Sequence, residues 1–189
     1  MVDRARDMIP VLRARARDAE LDRAVPRETV EQFAEEGFFR IHQPERFGGF
    51  GWDIGMMVRL GAELGQGCGS SCWIFSNLAV QNWILGMNRP EAQEDVWGPN
   101  PLALVASSFP TQGGKVERAE GGLIANGLWS FASGVDFADW NNMQVFVPSE
   151  SGDGPPEHRF ALVPKSDYEI VDDWFSPGLA GTGSRSIRL

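Results

Sequence analysis

Cysteine and histidine are scarce in this chain, which holds two of each among 189 residues. Cys68 and Cys72 are separated by three residues (C-x3-C), a spacing that matches no common zinc or dithiol motif. His42 and His158 are too few to complete a metal site with them. We therefore expect no metal centre. Two unpaired thiols are typical of a protein of the reducing cytoplasm.

Long apolar runs and a secretion signal are also missing. No stretch approaches the ~20 apolar residues that cross a bilayer, and the first seven residues contain no signal-peptide core. The net charge of −9 argues against nucleic acid or an anionic membrane as a partner. With 42% hydrophobic and 23% charged residues, the composition is that of a folded globular protein.

Several common catalytic signatures are absent as well. The chain has no P-loop, no G-x-S-x-G elbow and no recognisable Ser/His/Asp set. Residues 178–183 read G-x-x-G-x-G, which departs from the dinucleotide fingerprint and precedes a predicted strand rather than a helix. The residues alone therefore indicate a fold class and leave the function open.

The first half of the chain is predicted to be helical, because apolar residues recur there at helical spacing. Pro10 fits a helix start or a kink, Pro26 fits a helix start, and Asp53 can cap a third helix. Residues 38–43 are predicted to be extended. A fourth helix, from about residue 70 to residue 85, is apolar on almost every side and is predicted to be buried.

A narrow polar stripe interrupts that fourth helix. It consists of Asn77 and Gln81, four residues apart and therefore on one face. Buried amides must be hydrogen-bonded. They either bond to groups of the core or contact a bound molecule, and the sequence leaves both alternatives open.

The second half is predicted to be a β domain. Residues 98–101 (Gly-Pro-Asn-Pro) indicate a linker, and short β-type segments then alternate with glycine-rich turns. The predicted strands lie near residues 102–109, 115–119, 123–133, 143–148, 159–163, 168–174 and 184–189. Because no helical pattern separates them, we expect an antiparallel barrel or sandwich. The predicted fold is α+β, with a helical domain at residues 1–101 and a β domain at residues 102–189.

Residues 127–140 combine aromatic side chains with two hydroxyls, those of Ser130 and Ser133. Gly134 indicates a bend directly after Ser133. A flat aromatic ligand needs apolar walls and a few aimed polar groups, which this stretch offers. The alternative is a strand with an aromatic core face and two hydrogen-bonded serines.

The order of a helical domain and a β domain resembles the acyl-CoA dehydrogenase superfamily over essentially the whole chain. Within that superfamily the sequence is most similar to the two-component flavin-dependent hydroxylases. The resemblance rests on residues 24–30, 43–49, 69–73, 120–127, 129–134 and 178–184.

The resemblance implies a set of cofactor-binding residues. Ser133 occupies the position whose hydroxyl meets flavin N5, and it is the expected catalytic residue. Phe131 takes the place of an aromatic side chain packed beside the isoalloxazine. Ser107 and Ser108 fall where the preceding strand faces the pyrimidine edge of the flavin.

The resemblance also implies a function. It predicts the oxygenase component of a monooxygenase that hydroxylates an aromatic or polycyclic small molecule with O2 and reduced flavin, FMNH2 or FADH2. A separate flavin reductase is the expected partner, and the complete protein is expected to be a homo-oligomer. The related hydroxylases often carry a histidine on the fourth helix, near the substrate, where this chain offers only Asn77, Gln81 and Asn82. The alternatives are an acyl-CoA dehydrogenase with bound FAD and a non-catalytic remnant or interaction module of the same fold.

Two departures from the family pattern affect these expectations. The dehydrogenases carry a Thr-Glu-Pro-x-x-Gly-Ser-Asp run, whereas residues 108–114 read Ser-Phe-Pro-Thr-Gln-Gly-Gly. The missing acids argue against a CoA-ester dehydrogenase. Family members also continue into a C-terminal four-helix bundle that covers the flavin and builds the oligomer, whereas this sequence closes on a predicted strand. The expectation is a truncated, split or incomplete chain.

Overall fold

A computed structural model describes residues 1–109, 114–150 and 153–189. In these ranges the first half of the chain is helical and the second half forms strands. The helices are α1 (Val2–Asp7), α2 (Ile9–Asp22), α3 (Arg27–Glu35), α4 (Ile54–Leu64), α5 (Gly69–Gly86) and α6 (Pro90–Trp97). The strands are β1 (Val105–Ser108), β2 (Lys115–Ala119), β3 (Gly122–Asn126), β4 (Leu128–Ala132), β5 (Trp140–Val147), β6 (Glu157–Pro164), β7 (Glu169–Val171) and β8 (Arg185–Arg188).

Three sheets make up the β half of the described chain. They have the strand orders β1-β5-β6, β2-β3 and β4-β8-β7. The predicted α+β class is confirmed. The antiparallel prediction is wrong for one pair, because β1 and β5 are parallel, with Val105 opposite Trp140. Parallel strands need a long crossover, and here the crossover consists of β2, β3 and β4. The described strands do not close into a barrel, so the sandwich alternative fits.

The predicted helix starts are confirmed. Pro10 lies in the first turn of α2, and α3 begins directly after Pro26. Asp53 caps α4 by accepting a hydrogen bond from the backbone N–H of Gly55 at 2.7 Å. The extended prediction for residues 38–43 is wrong, because a 3₁₀ turn spans Phe38–Arg40. A strand would point Phe38 and Phe39 to opposite faces, whereas in the 3₁₀ turn both side chains are buried.

The core of the helical half is a cluster of phenylalanines. The Phe33 ring on α3 lies 5.7 Å from the Phe38 ring and 6.1 Å from the Phe39 ring. It also lies 6.2 Å from the ring of Phe75 on α5. Buried residues of the helices and strands form one continuous hydrophobic cluster with it. The division into domains at residue 101 falls between α6 and β1 and stays a prediction.

Helix α5 is less buried than its composition predicts. Ile74, Phe75 and Leu78 are fully buried, but Trp73 and Trp83 are 48% and 39% exposed. The prediction of burial on almost every side is wrong, because the core covers one side of α5 and Trp73 faces a pocket instead. Across the described ranges, no helix combines the length and the apolar character that a membrane span requires.

Tyr168 is the single tyrosine of the chain and provides a test of the packing in the β half. It is 9% exposed, and its hydroxyl has no hydrogen-bond partner within the described residues. Burial raises the pKa of Tyr168 to about 12, and the nearby carboxylates of Asp139 and Asp136 add to the shift. The ordinary tyrosine pKa is about 10.

We therefore predict that the folded protein shows no tyrosinate absorbance where the unfolded protein titrates, near pH ~10. The pKa of Tyr168 is higher in the folded protein than in the unfolded protein. The contribution of the neutral Tyr168 side chain to the stability of the folded state is therefore complete below about pH 10, and it is lost as the pH rises towards about 12. Spectrophotometric titration with and without urea measures this, and Tyr168→Phe identifies the signal. Tyrosinate formation near pH ~10 in the folded chain would contradict the burial.

Candidate functional site

A pocket lies between α5 and the strands. Its volume is about 690 Å³. Its walls come from one side of α5, from β1, from the end of β4 and from the segment before β8. The described lining residues include no charged side chain; they are Trp73, Asn77, Val80, Gln81, Ile84, Ser107, Phe109, Phe131, Ser133, Trp174, Ser176, Gly178, Leu179, Thr182 and Ser184.

The pocket brings together most of the residues that the sequence indicates for cofactor and substrate. Five of the six candidates lie in its lining: Asn77, Gln81, Ser107, Phe131 and Ser133. They come from α5, β1 and β4 with its following turn. Their roles stay predictions, but their positions converge on one cavity.

Ser108 is the candidate that lies outside the lining. It is fully buried, and its hydroxyl has no partner among the described residues. Successive side chains of a strand point to opposite faces, so Ser107 and Ser108 cannot both face the pocket from β1. Ser107, which is 8% exposed, is the one that does.

The two amides of α5 have protein partners and also face the cavity. The Asn77 side chain donates to the Trp73 carbonyl oxygen one turn earlier, at 3.0 Å. The Gln81 side-chain oxygen accepts from the amide of Asn142 on β5, also at 3.0 Å. Each amide is therefore bonded within the protein, and contact with a bound molecule stays a prediction, although both amides line the pocket.

Phe131 projects into the pocket from an irregular point of β4. Its φ of +62° is unusual for a residue with a bulky side chain. The pairing of β4 with β8 shifts register between Trp129 and Ala132, as it does at a β-bulge. The Phe131 ring is 53% exposed and meets the Trp174 ring edge-on at 5.9 Å. The bulge thus turns this ring out of the core and into the pocket wall.

Ser133 lies at the start of a chain of hydroxyl groups. Its oxygen accepts a hydrogen bond from the indole N–H of Trp73 at 3.0 Å and lies 2.6 Å from the Ser184 hydroxyl. Ser184 in turn lies 2.7 Å from the Thr182 hydroxyl, which donates to the Leu179 carbonyl oxygen at 2.8 Å. The predicted bend is confirmed directly after Ser133, because the next residue has a φ of +80°.

Sequence reasoning missed three members of this network. Thr182 and Ser184 lie in residues 178–184, a stretch that supports the family resemblance, so a signal was present. The sequence does not assign a role to Thr182 or Ser184, because a hydroxyl residue near the start of a strand matches no specific functional motif. Trp73 lies on the fourth helix, for which the sequence predicts burial on almost every side, and only the packing shows that it turns towards Ser133.

The pocket wall at residues 172–185 is fixed by charges outside the cavity. Arg23, at the end of α2, makes two hydrogen bonds to the Asp172 carboxylate and one to the Trp174 carbonyl oxygen, at 2.7 to 2.9 Å. Arg185 pairs with both Asp172 and Asp136. The hydrogen bonds from Arg23 and Arg185 lower the pKa of Asp172 to about 2. These ion pairs therefore hold the wall while leaving the lining uncharged.

The turn at residues 179–184 is also attached to the helices. The carboxylate of Glu20 on α2 accepts hydrogen bonds from Ser70 Oγ at 2.5 Å and from the backbone N–H of Ala180 at 3.0 Å. Gly181 approaches α2 so closely that an added Cβ would lie 2.9 Å from the Ala19 carbonyl oxygen. Only glycine fits this contact without a shift of the backbone.

The described part of the chain is a helical layer packed on small sheets, with an uncharged pocket between them. The crystal structure of 3-HSA hydroxylase from Rhodococcus sp. RHA1 superposes on this chain with a TM-score of 0.93 and 35% sequence identity. The match covers 99% of this chain and 48% of that one. Residues 2–100 match the sequence model of the acyl-CoA dehydrogenase N-terminal domain. The chain belongs to this family.

Two curated relatives are oxygenase components of flavin-dependent monooxygenases. The chain is 37% identical to the oxygenase subunit HsaA of Mycobacterium tuberculosis, over 96% of this chain and 45% of that protein. It is also 37% identical to the oxygenase component of the FADH(2)-dependent resorcinol hydroxylase of Rhizobium sp., over 100% of this chain and 46% of that protein. The predicted resemblance to the two-component hydroxylases is confirmed. The chain spans about half the length of the curated relatives it matches.

Glu20 provides a test of the turn that carries Thr182 and Ser184. We expect Glu20→Gln to lower the free energy of unfolding by about 1 kcal/mol, since an exposed carboxylate loses charge-assisted hydrogen bonds. The bond from Ser70, followed by those from Ala180 and Gly181, lowers the pKa of Glu20 despite its partial burial. The stabilisation is therefore complete above the unfolded pKa of ~4.3 and is lost as the pH falls through the folded pKa.

Urea unfolding of both proteins across acidic pH measures the effect. The difference between the unchanged protein and Glu20→Gln should be constant near neutrality and shrink below pH ~4.3. Asp18→Asn, on an exposed position of the same helix, is the matched control. A difference that grows towards acid would contradict the anchoring role of Glu20.

Proposed function

We propose that this chain provides the flavin site of the oxygenase component of a two-component monooxygenase, which hydroxylates an aromatic small molecule with reduced flavin and O2. The observation that carries the proposal is the pocket, in which Ser107, Phe131 and Ser133 converge within uncharged aromatic walls. The oxygenase relatives support the same class of reaction.

The described residues fit a flavin ring. A tricyclic isoalloxazine needs apolar walls and a few polar groups at its edges. Phe131, turned outward by the bulge in β4, offers an aromatic surface beside the ring. Ser133 offers one hydroxyl for N5, and Ser107 offers a polar group from β1. When bound, reduced flavin supplies the electrons that activate O2.

The residues around this position contribute binding, orientation and exclusion of water. Ser133 is 6% exposed and fixed by two hydrogen bonds, so its oxygen needs little reorganisation on binding. Trp73, Phe131 and Trp174 surround it with apolar surface. Such walls exclude the water that would otherwise compete for reactive groups.

The substrate is proposed to be a phenol-like aromatic compound beside α5. Resorcinol is named for one relative and 3-HSA for a neighbouring structure. Asn77 and Gln81 line the same cavity and are the proposed contacts for polar substituents of the ring. They replace the histidine of related hydroxylases with neutral amides, which can both donate and accept.

The proposal includes a separate flavin reductase that delivers FMNH2 or FADH2 to this chain. Two of the relatives are named as the oxygenase subunit or component of their enzymes. A homo-oligomeric assembly, the division into domains at residue 101 and a cytoplasmic location belong to the same proposal. The free thiols of Cys68 and Cys72 support the last of these.

The dehydrogenase alternative depends on residues 108–114. The prediction that this run supplies few contacts to a CoA ester rests on the sequence, because residues 110–113 lie outside the described part of the chain. The experiments below separate the two functions.

Ser133→Ala tests the assignment of the flavin site. We expect reduced flavin to bind about fivefold more weakly, because one hydrogen bond to the ring is worth roughly 1 kcal/mol. Anaerobic titration measures the dissociation constant. Ser186→Ala is the matched control, because Ser186 is equally buried but bonds to Ser130 outside the lining. Equal affinities of Ser133→Ala and the unchanged protein would remove Ser133 from the site.

Two reactions separate the oxygenase from the dehydrogenase. With reduced flavin, a panel of phenols and labelled O2, we expect label in a hydroxylated product. With FAD and a panel of acyl-CoA esters, mixed anaerobically, we expect no bleaching of the oxidised flavin. Bleaching by any ester at a catalytically competent rate would replace the proposed function with the dehydrogenase.

A further inference from the structure

We propose that Thr182 and Ser184 fix the direction of the Ser133 hydroxyl proton, so that the pocket selects reduced over oxidised flavin. This inference rests on the proposed function and adds a redox preference to it. Thr182 and Ser184 act through Ser133 and are therefore positioning residues.

The chain of hydrogen bonds ends on the carbonyl oxygen of Leu179, which can accept a hydrogen bond but cannot donate one. The Leu179 carbonyl oxygen lies 2.8 Å from Thr182 Oγ1, so the hydrogen between them must come from the threonine. The same oxygen accepts from the backbone N–H of Thr182 at 3.1 Å and from the indole of Trp174 at 3.3 Å. Leu179 is thus held in place, and the single hydroxyl proton of Thr182 is committed to it.

The direction of this hydrogen bond determines the direction of the next two. Because Thr182 has no second hydroxyl proton, its 2.7 Å contact with Ser184 requires Ser184 to donate. Ser184 then has no proton left for its 2.6 Å contact with Ser133, so Ser133 donates to Ser184. Thr182 and Ser184 are 2% and 5% exposed, which leaves little room for water to supply another partner.

Trp73 fixes the other end of the chain. Its indole nitrogen carries a hydrogen and can only donate, so Ser133 accepts from it at 3.0 Å. Ser133 therefore donates its proton to Ser184 and uses one lone pair to accept the hydrogen bond from Trp73. What it presents to the pocket is its second lone pair, which can accept a hydrogen bond but cannot donate one.

An accepting Ser133 distinguishes the two redox forms of flavin. N5 of reduced flavin carries a hydrogen and can donate it to Ser133, whereas N5 of oxidised flavin carries only a lone pair. The oxidised form would place two acceptors against each other. Reversing the chain would require all three hydroxyls to turn and would remove the Thr182 bond to the Leu179 carbonyl. The chain thus favours the flavin that arrives reduced from a reductase.

The test measures equilibrium binding of both redox forms to residues 1–189. Dissociation constants of oxidised and of reduced FMN and FAD are determined by anaerobic titration. We expect the unchanged protein to bind the reduced form more tightly. Ser184→Ala removes the acceptor of the Ser133 proton, and Thr182→Val removes the acceptor of the Ser184 proton while keeping the side-chain shape. Each variant frees Ser133 to donate into the pocket.

Both variants should reduce the ratio of oxidised to reduced dissociation constants by about tenfold, chiefly through tighter binding of the oxidised form. Thr182→Ser restores the hydroxyl and should keep the ratio of the unchanged protein. Ser186→Ala, on the same strand as Arg185 but bonded to Ser130, should also leave it unchanged. A merely structural role would weaken both redox forms together and leave the ratio unaltered.

The outcomes distinguish this inference from the function on which it rests. If both redox forms bind and the ratio is the same in Ser184→Ala, Thr182→Val and the unchanged protein, the proton-direction inference is wrong and the flavin site stands. A change of the ratio in Ser186→Ala as large as in Thr182→Val would also contradict it. If the unchanged protein binds neither form, the proposed function fails and the inference fails with it.

Discussion

The packing of the turn at residues 179–184 against α2 and α5 is the contact on which the pocket depends. Gly181 lies so close to α2 that a side chain has no room, and Glu20 accepts hydrogen bonds from both the turn and the start of α5. This contact brings a segment near the end of the sequence against its beginning. Without it, Thr182 and Ser184 would have no fixed distance from Ser133.

The charged side chains near the pocket lie behind its wall, and the described lining residues are uncharged. Arg23 and Arg185 neutralise Asp172 and Asp136 behind the wall, where a hydrogen bond from Arg23 also holds the Trp174 carbonyl oxygen. The lining itself contains aromatic, aliphatic, amide and hydroxyl groups. In such surroundings a single aimed hydrogen bond has more effect than it has beside mobile charges and water. The unusual backbone of Phe131 fits this picture, since strained residues concentrate at binding sites.

Much of the architecture could be predicted because its signals are local. Pro26 and Asp53 mark helix starts through their own backbone and side-chain chemistry, and Gly134 marks a bend. The parallel pairing of β1 with β5 could not be predicted, because it joins residues 35 positions apart through a crossover made of strands. The exposure of Trp73 also escaped prediction, because an apolar helix gives no indication of which side faces a cavity.

By itself, the sequence determined the α+β class, the family and the stretch around Ser133 in which aromatic and hydroxyl side chains alternate. Local periodicity, turn residues and motif order are sufficient for these. Only the tertiary structure decided that Ser107 rather than Ser108 faces the pocket, and that Trp73 donates to Ser133 across 60 residues of sequence. The physical reason is that hydrogen-bond direction depends on which groups meet, and these groups meet only after α2, α5 and β8 have packed together.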